Sequence, residues 1–135
     1  MPTLTGTFED REQIRELYAR YANYADTARA NDWVALFTED GVFESPIYGT
    51  FPGQAALRRF MGEYQQSWNG GGVRHMMVNV SFDVAGDDAT GTCGLIYFKV
   101  HDGKSEFQAT GGYHDTLRKV RGEWKFVHRK VYIDG

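Results

Sequence analysis

Between residues 10 and 28 the apolar positions fall at helical spacing. Ile14, Leu17, Tyr18, Tyr21, Ala25 and Ala28 make a single stripe, which predicts an amphipathic helix. Thr7 stands three residues ahead of Asp10, a variant of the capping-box arrangement that starts such helices. Asn31 and Asp32 then break the pattern and read as the N-cap of a short second helix over residues 33–37. GVFES reads as a short strand ending at Pro46, and IYGTFPG as a loop. A third helix is predicted over residues 54–68, with Ala55, Leu57, Phe60, Met61, Tyr64 and Trp68 available for packing. The glycines at 70–72 stop it.

Beyond that point the period changes from helical to alternating. Four strands are predicted, over residues 73–84, 89–100, 106–120 and 123–133, joined by the turn sequences AGDD, HDGK and VRGE. Helices followed by a hairpin-linked sheet imply an α+β fold, with the helices on one face of a mainly antiparallel sheet. The length suits a single domain over residues 1–135. Strands this long, twisted and curled against helices, can form a cone with a hollow interior.

Composition narrows the function. Aromatic residues make up 15% of the chain, enough for a packed core or an aromatic-lined cavity. The net charge is −3 and basic residues form no cluster, which argues against nucleic-acid binding. No apolar run is long enough to span a membrane. MPTLTGTFEDREQ has no apolar secretory core, and the single cysteine, Cys93, can form no internal disulfide, so a reduced, cytoplasmic setting is expected. His75, His101, His114 and His128 show no tight ligand spacing, and neither a metal nor a cofactor is expected.

Four stretches in order, the first helix, NDWVALFTEDGVFESP, RHMMVNV and GGYHDTLRKVRGEWKFVHRKV, resemble the SnoaL-like branch of the NTF2-like superfamily. The resemblance spans nearly the whole chain. It implies a cone with three N-terminal helices on a curved sheet, a cavity for small apolar, often polycyclic or terpenoid molecules, and assembly as a homodimer or homotrimer. Family activities include dehydratases, a dehydrochlorinase, isomerases and polyketide cyclases, beside non-catalytic relatives, so fold alone does not give the reaction. The dehydratases and the dehydrochlorinase pair an Asp late in the first helix with a His early in the following long strand. Counted from Ile14, those positions are Asp26 and His75. Five residues, TARAN, separate Asp26 from Asp32-Trp33, more than in many members, and counting from Trp33 would place Arg29 at the acid's position. The helical stripe upstream favours Asp26. Steroid isomerases of the superfamily carry their base in a stretch resembling FESPIYG. The matching residue is Ser45, which cannot act as a carboxylate base, and the neighbouring Glu44 faces the other side of a strand.

An imidazole can accept a proton at one ring nitrogen when the other is held as a donor, and a carboxylate on that donor stabilises the imidazolium formed. His75 as base and Asp26 as its partner would support elimination of a hydroxyl or halide with no cofactor. The plainer alternative is an exposed Asp near a helix end and a histidine satisfied within the strand, in a protein that binds a small molecule without chemistry. Strand alternation places Met77 and Asn79 on the face of His75, where they could contact a substrate. Tyr21 and Tyr24 lie near Asp26 and could bind or protonate a leaving group, although tyrosines at this spacing are usually core. The resemblance adds Tyr97 and Tyr113 as cavity-lining positions. His114 and Asp115 are neighbours on a strand and should point to opposite faces, not form a dyad. Apolar residues on the outer face of the sheet suggest self-association.

Overall fold

A computed structural model describes residues 3–135. Helix α1 (Phe8–Asp26) opens at Thr7, whose hydroxyl accepts the Asp10 amide at 3.0 Å while the Asp10 carboxylate accepts the Thr7 amide at 3.4 Å. The capping box read from the sequence is therefore formed. Ile14, Leu17, Tyr18, Tyr21 and Ala25 are all buried along α1. Asp10 also ties the helix to the sheet, accepting Trp124 Nε1 at 3.0 Å and pairing with Lys119 Nζ at 2.9 Å.

The end of α1 differs from the sequence expectation. Ala28 lies outside the helix with φ 55°; its amide bonds Ala25 O at 3.4 Å, and the Arg29 amide bonds Tyr24 O at 3.0 Å. This is the hydrogen-bond pair of a Schellman turn, with Ala28 where glycine is usual. The turn starts α2 (Ala30–Val34) at once, so Asn31 and Asp32 lie inside α2 instead of capping it. Phe37, read as helical, begins β1 (Phe37–Ser45). The presumed loop contains β2 (Gly49–Pro52), antiparallel to β1 with Phe51 opposite Phe43. Four residues are too few for periodicity to reveal, and it is the burial of Phe51 that fixes them.

Helix α3 (Gly53–Gln66) is followed by β3 (Gly72–Ala85), β4 (Asp88–His101), β5 (Lys104–Val120) and β6 (Glu123–Ile133), all within two residues of the predicted strands. The strand order is β2-β1-β6-β5-β4-β3, antiparallel except where β1 runs parallel to β6. The helices pack on one face, α1 against β3 and β6, α3 against β1 and β2. Trp33, Val34, Leu57 and Phe126 are fully buried between the layers. Bulges redirect side chains. Residues 79 and 80 of β3 together face Cys93 between the Val78–Gly94 and Ser81–Thr92 pairs, Gln108 is extra in β5, and Val127 is extra in β6 between Phe126 and His128. Among the described residues no helix is long and apolar enough to cross a membrane.

The Lys119 ammonium and the Trp124 indole N–H hold the Asp10 carboxyl well below its ordinary value of 3.8. A lowered folded-state pKa adds stability above the unfolded value, which is lost as the pH falls through 3.8 towards the folded value. Asp10→Asn is expected to lower the Tm at neutral pH and to flatten the acid limb of Tm against pH. Calorimetry showing an unchanged acid limb would remove Asp10 from this role.

Candidate active site

Asp26 is the last residue of α1, and its side chain crosses to the start of β3. Asp26 Oδ1 lies 2.6 Å from His75 Nδ1, and the two carboxylate oxygens share the backbone N–H of His75 at 3.1 Å each. The His75 and Asp26 side chains are only 9% and 7% exposed. A carboxylate at a helix C-terminus opposes the helix dipole, so this one depends on the two donors that His75 supplies. The extra residues between Asp26 and α2 are absorbed by the Schellman turn. Arg29 points to solvent and pairs with Asp32 at 2.7 Å, so it does not take the acid's place.

With Nδ1 engaged, Nε2 is the imidazole atom left for the cavity that His75 helps to line. That cavity encloses about 510 Å³ between the helices and the sheet, within the range of small-molecule sites. Its wall is largely aromatic, with Tyr21, Trp33, Phe43, Phe60, Tyr64, Trp68, Tyr97 and Tyr113 all contributing. The ring of Tyr97 is 4.9 Å from that of His75, and those of Tyr64 and Tyr21 lie at 6.2 and 6.5 Å. The Tyr64 and Tyr97 hydroxyls are 2.6 Å apart. Burial pushes the Tyr21 phenol up to about 12, opposed by the Arg129 cation beneath it, and raises those of Tyr64, Tyr97 and Tyr113 as well.

Other candidates fall on either side of this wall. Ser45 lines the cavity, its hydroxyl accepting the Ile47 and Tyr48 amides at 3.2 Å each, while Glu44 faces outward to His128 and Lys130. Tyr24 does not reach the cavity; it packs under the Arg29 guanidinium at 4.6 Å. Met77 lies below the cavity, 3.7 Å from Cys93 Sγ and 3.8 Å from Arg129 Nη2. Asn79 is exposed, because the bulge in β3 puts it at φ 55° and breaks the alternation that would have aimed it inward. His114 and Asp115 do point apart. His114 stacks on Tyr132, and Asp115 is buried.

Sequence reasoning missed what lies under the cavity floor. Arg129 is fully buried, 3.1 Å from Asp115 Oδ1 but off the line of its N–H, so the contact is an ion pair and not a hydrogen bond. Its guanidinium sits over Tyr113 at 3.7 Å, Tyr21 at 4.1 Å, Phe126 at 4.5 Å and Tyr18 at 4.9 Å. Tyr18 donates to Asp115 Oδ2 at 2.7 Å. Burial raises the Asp115 carboxyl against the opposing pull of Arg129, and pushes the Cys93 thiol up to about 11, leaving it protonated at neutral pH. Tyr64 was also missed as a site residue; its place in the Phe60, Tyr64, Trp68 stripe was the only signal. Among the described residues no three His, Cys, Asp or Glu side chains converge as a metal site would require.

The profile described as SnoaL-like domain matches residues 6–130. Rv3472 of Mycobacterium tuberculosis, a protein of unknown function solved as an Asp-to-Asn variant, superposes with a TM-score of 0.85 at 28% identity, over 94% of this chain and 73% of that one. An NTF2-like protein with a cystatin-like fold from Novosphingobium aromaticivorans gives 0.84 at 29% identity, over 93% and 82% of the two chains. A candidate scytalone dehydratase from the same species gives 0.80 at 21% identity, over 93% and 85%, a likeness of fold. No curated protein matches the chain. The α+β architecture is the NTF2-like fold.

Two outcomes follow from the geometry. In the neutral imidazole the proton should reside on Nδ1, facing Asp26, which long-range ¹⁵N–¹H correlation spectra report directly; a proton on Nε2 would contradict the contact. Ala28→Gly relieves a left-handed residue and should stabilise the fold by about 0.5–1 kcal/mol. Equal or lower stability in denaturant titration would show the turn to be unstrained.

Proposed function

The chain belongs to the SnoaL-like domain family, and we propose that it is an acid–base lyase or isomerase acting on a small, largely apolar cyclic molecule. The observation that carries this reading is the 2.6 Å contact of Asp26 with His75 Nδ1, which leaves Nε2 for the cavity. Nε2 takes a proton from a substrate carbon, and the electron pair of that C–H bond becomes the new C=C bond. A hydroxyl or halide on the adjacent carbon departs with its own bonding pair. When hydroxyl leaves, the imidazolium returns its proton to it and water is the product. Returning the proton to a different carbon gives isomerisation with the same groups. Asp26 keeps the ring oriented and balances the positive charge on the imidazolium while it exists. Tyr21 lines the cavity with a phenol that stays protonated, which supports a role as hydrogen-bond donor to the leaving group.

The candidate scytalone dehydratase among the structural relatives is in keeping with dehydration, and the aromatic wall with a ring-shaped substrate. Nothing in the cycle needs a group beyond these side chains.

Proton abstraction can be tested before the substrate is known. Cyclic ketones and β-hydroxy ketones incubated with the protein in D₂O should exchange a carbon-bound proton, read by NMR. His75→Ala is expected to slow exchange by about 10²–10⁴-fold. Asp26→Asn should lose most of the activity with the fold intact by circular dichroism. Exchange at the normal rate by His75→Ala would remove the base, and binding with no exchange by the wild type would favour a ligand carrier.

A further inference from the structure

The exposed polar residues of the cavity wall, Ser67, Asn69, Lys99, His101 and Gln108, mark its mouth. Side chains on one face of a strand recur at every second residue, so Leu95, Tyr97, Lys99 and His101 form one file along the inner face of β4, and all four line the cavity. The file is apolar and aromatic where Tyr97 faces His75 across the β3–β4 ladder, and it turns basic at Lys99, about 7 Å further out. The turn after α3 closes on the same end. Gly71 sits there with no room for a side chain between Trp68 O and Val100 O, which brings Trp68 beside the outer part of β4. Trp68 lines the cavity, and its indole N–H is buried with no partner in the protein. A ligand acceptor would satisfy it.

Charge at this mouth is left unbalanced at one residue. His101 is engaged, its Nε2 3.1 Å from Glu106 Oε2. Lys99 stands opposite Glu106 on the β4–β5 ladder, yet its ammonium makes no ion pair among the described residues. No Asp or Glu is among the described residues that line the cavity. An anion entering there meets one uncommitted ammonium and no carboxylate in the wall to repel it. The opposite lip is apolar, with Ile47 71% and Tyr48 40% exposed, so a charged substituent has one side of the mouth on which to lie.

We propose that the ligand is a ring acid, with its rings against the aromatic wall beside His75 and a single carboxylate held at the mouth by Lys99. This rests on the reading of the cavity as the site that His75 serves, and adds to it the acidic substituent and the residue that selects it. One free ammonium matches one negative charge. A phosphate, which carries more, would call for a second cation, and His101 is already taken up by Glu106. The lysine stem can lie along the wall while its ammonium stays in water, so the carboxylate is bound without being stripped of its hydration. The attraction is correspondingly small, but it distinguishes the acid from a neutral molecule of the same shape.

The test uses 2-naphthylacetate and its uncharged analogue 2-naphthylacetamide, titrated by calorimetry at neutral pH into wild type, Lys99→Gln, Lys99→Arg and His75→Asn. Lys99→Gln should weaken the acetate about two- to fivefold, the worth of one exposed ion pair, and leave the amide unchanged. Lys99→Arg keeps the charge and should keep the acetate's affinity. Raising the salt to about 1 M, where the screening length falls to about 3 Å, should erase the difference between wild type and Lys99→Gln. Equal loss for both probes in Lys99→Gln, loss for neither, or no binding of the acetate to wild type at millimolar concentration would each overturn the proposal. So would a selective loss of the acetate in His75→Asn and not in Lys99→Gln, because the acid would then lie against the imidazole. Failure of His75 as the base shows in deuterium exchange and leaves this binding result standing.

Discussion

One carboxylate, at the last residue of α1, holds the site in place. Asp26 opposes the dipole of its own helix and is nearly removed from water, so it is stable there only while both His75 N–H groups face it. The same bonds set the orientation of the imidazole. Helix and ring thus fix one another. Asp10 repeats the device at the other end of α1, accepting from Trp124 and pairing with Lys119. A shift of α1 by one residue would turn both carboxylates by about 100° and leave each without its partners. The hollow therefore has a wall of fixed position, although few groups fill its interior.

A cavity lined by large rings tends to collapse unless the rings are braced from behind. Arg129 supplies that brace from beneath the floor, its guanidinium lying against Tyr21 and Tyr113, both of which face the cavity. A buried cation of this kind is costly to desolvate, and the ion pair with Asp115, itself bonded by Tyr18, offsets that cost only in part. An apolar side chain of similar size would pack as densely, but it would lack the cation–π attraction that orients the two phenols. The arrangement trades stability for fixed ring planes.

Much of this was legible in the sequence. The stripe of α1, its capping box, the four long strands and the pairing of Asp26 with His75 all follow from spacing and from the family pattern. Three of the failures share a cause in local backbone irregularity. The bulge in β3 turned Asn79 outward, and the extra residue Val127 in β6 brought Arg129 inward, where plain alternation from the buried Phe126 puts it outside. One inserted residue inverts every assignment beyond it, and nothing in the residue types announces it. The Schellman turn at Ala28 was hidden for a similar reason, since alanine stands where glycine would have marked it.

An imidazole with a carboxylate behind it specifies only that a proton is to move. Elimination, isomerisation and ring closure can all begin from such a base, so relatives of one fold can share it while differing in product. The choice must come from what surrounds the carbon being deprotonated. A carbon acid is deprotonated readily only where the charge left behind is accommodated, and fixed donors accommodate charge without reorganising when it appears. In this chain the groups beside His75 are phenols set on β4 and α3, whose hydroxyls meet in the Tyr64–Tyr97 bond. Asp26 sits on α1 and Tyr64 on α3, while His75 and Tyr97 are cross-strand neighbours on β3 and β4, so the sheet carries the ring that each helix holds in place.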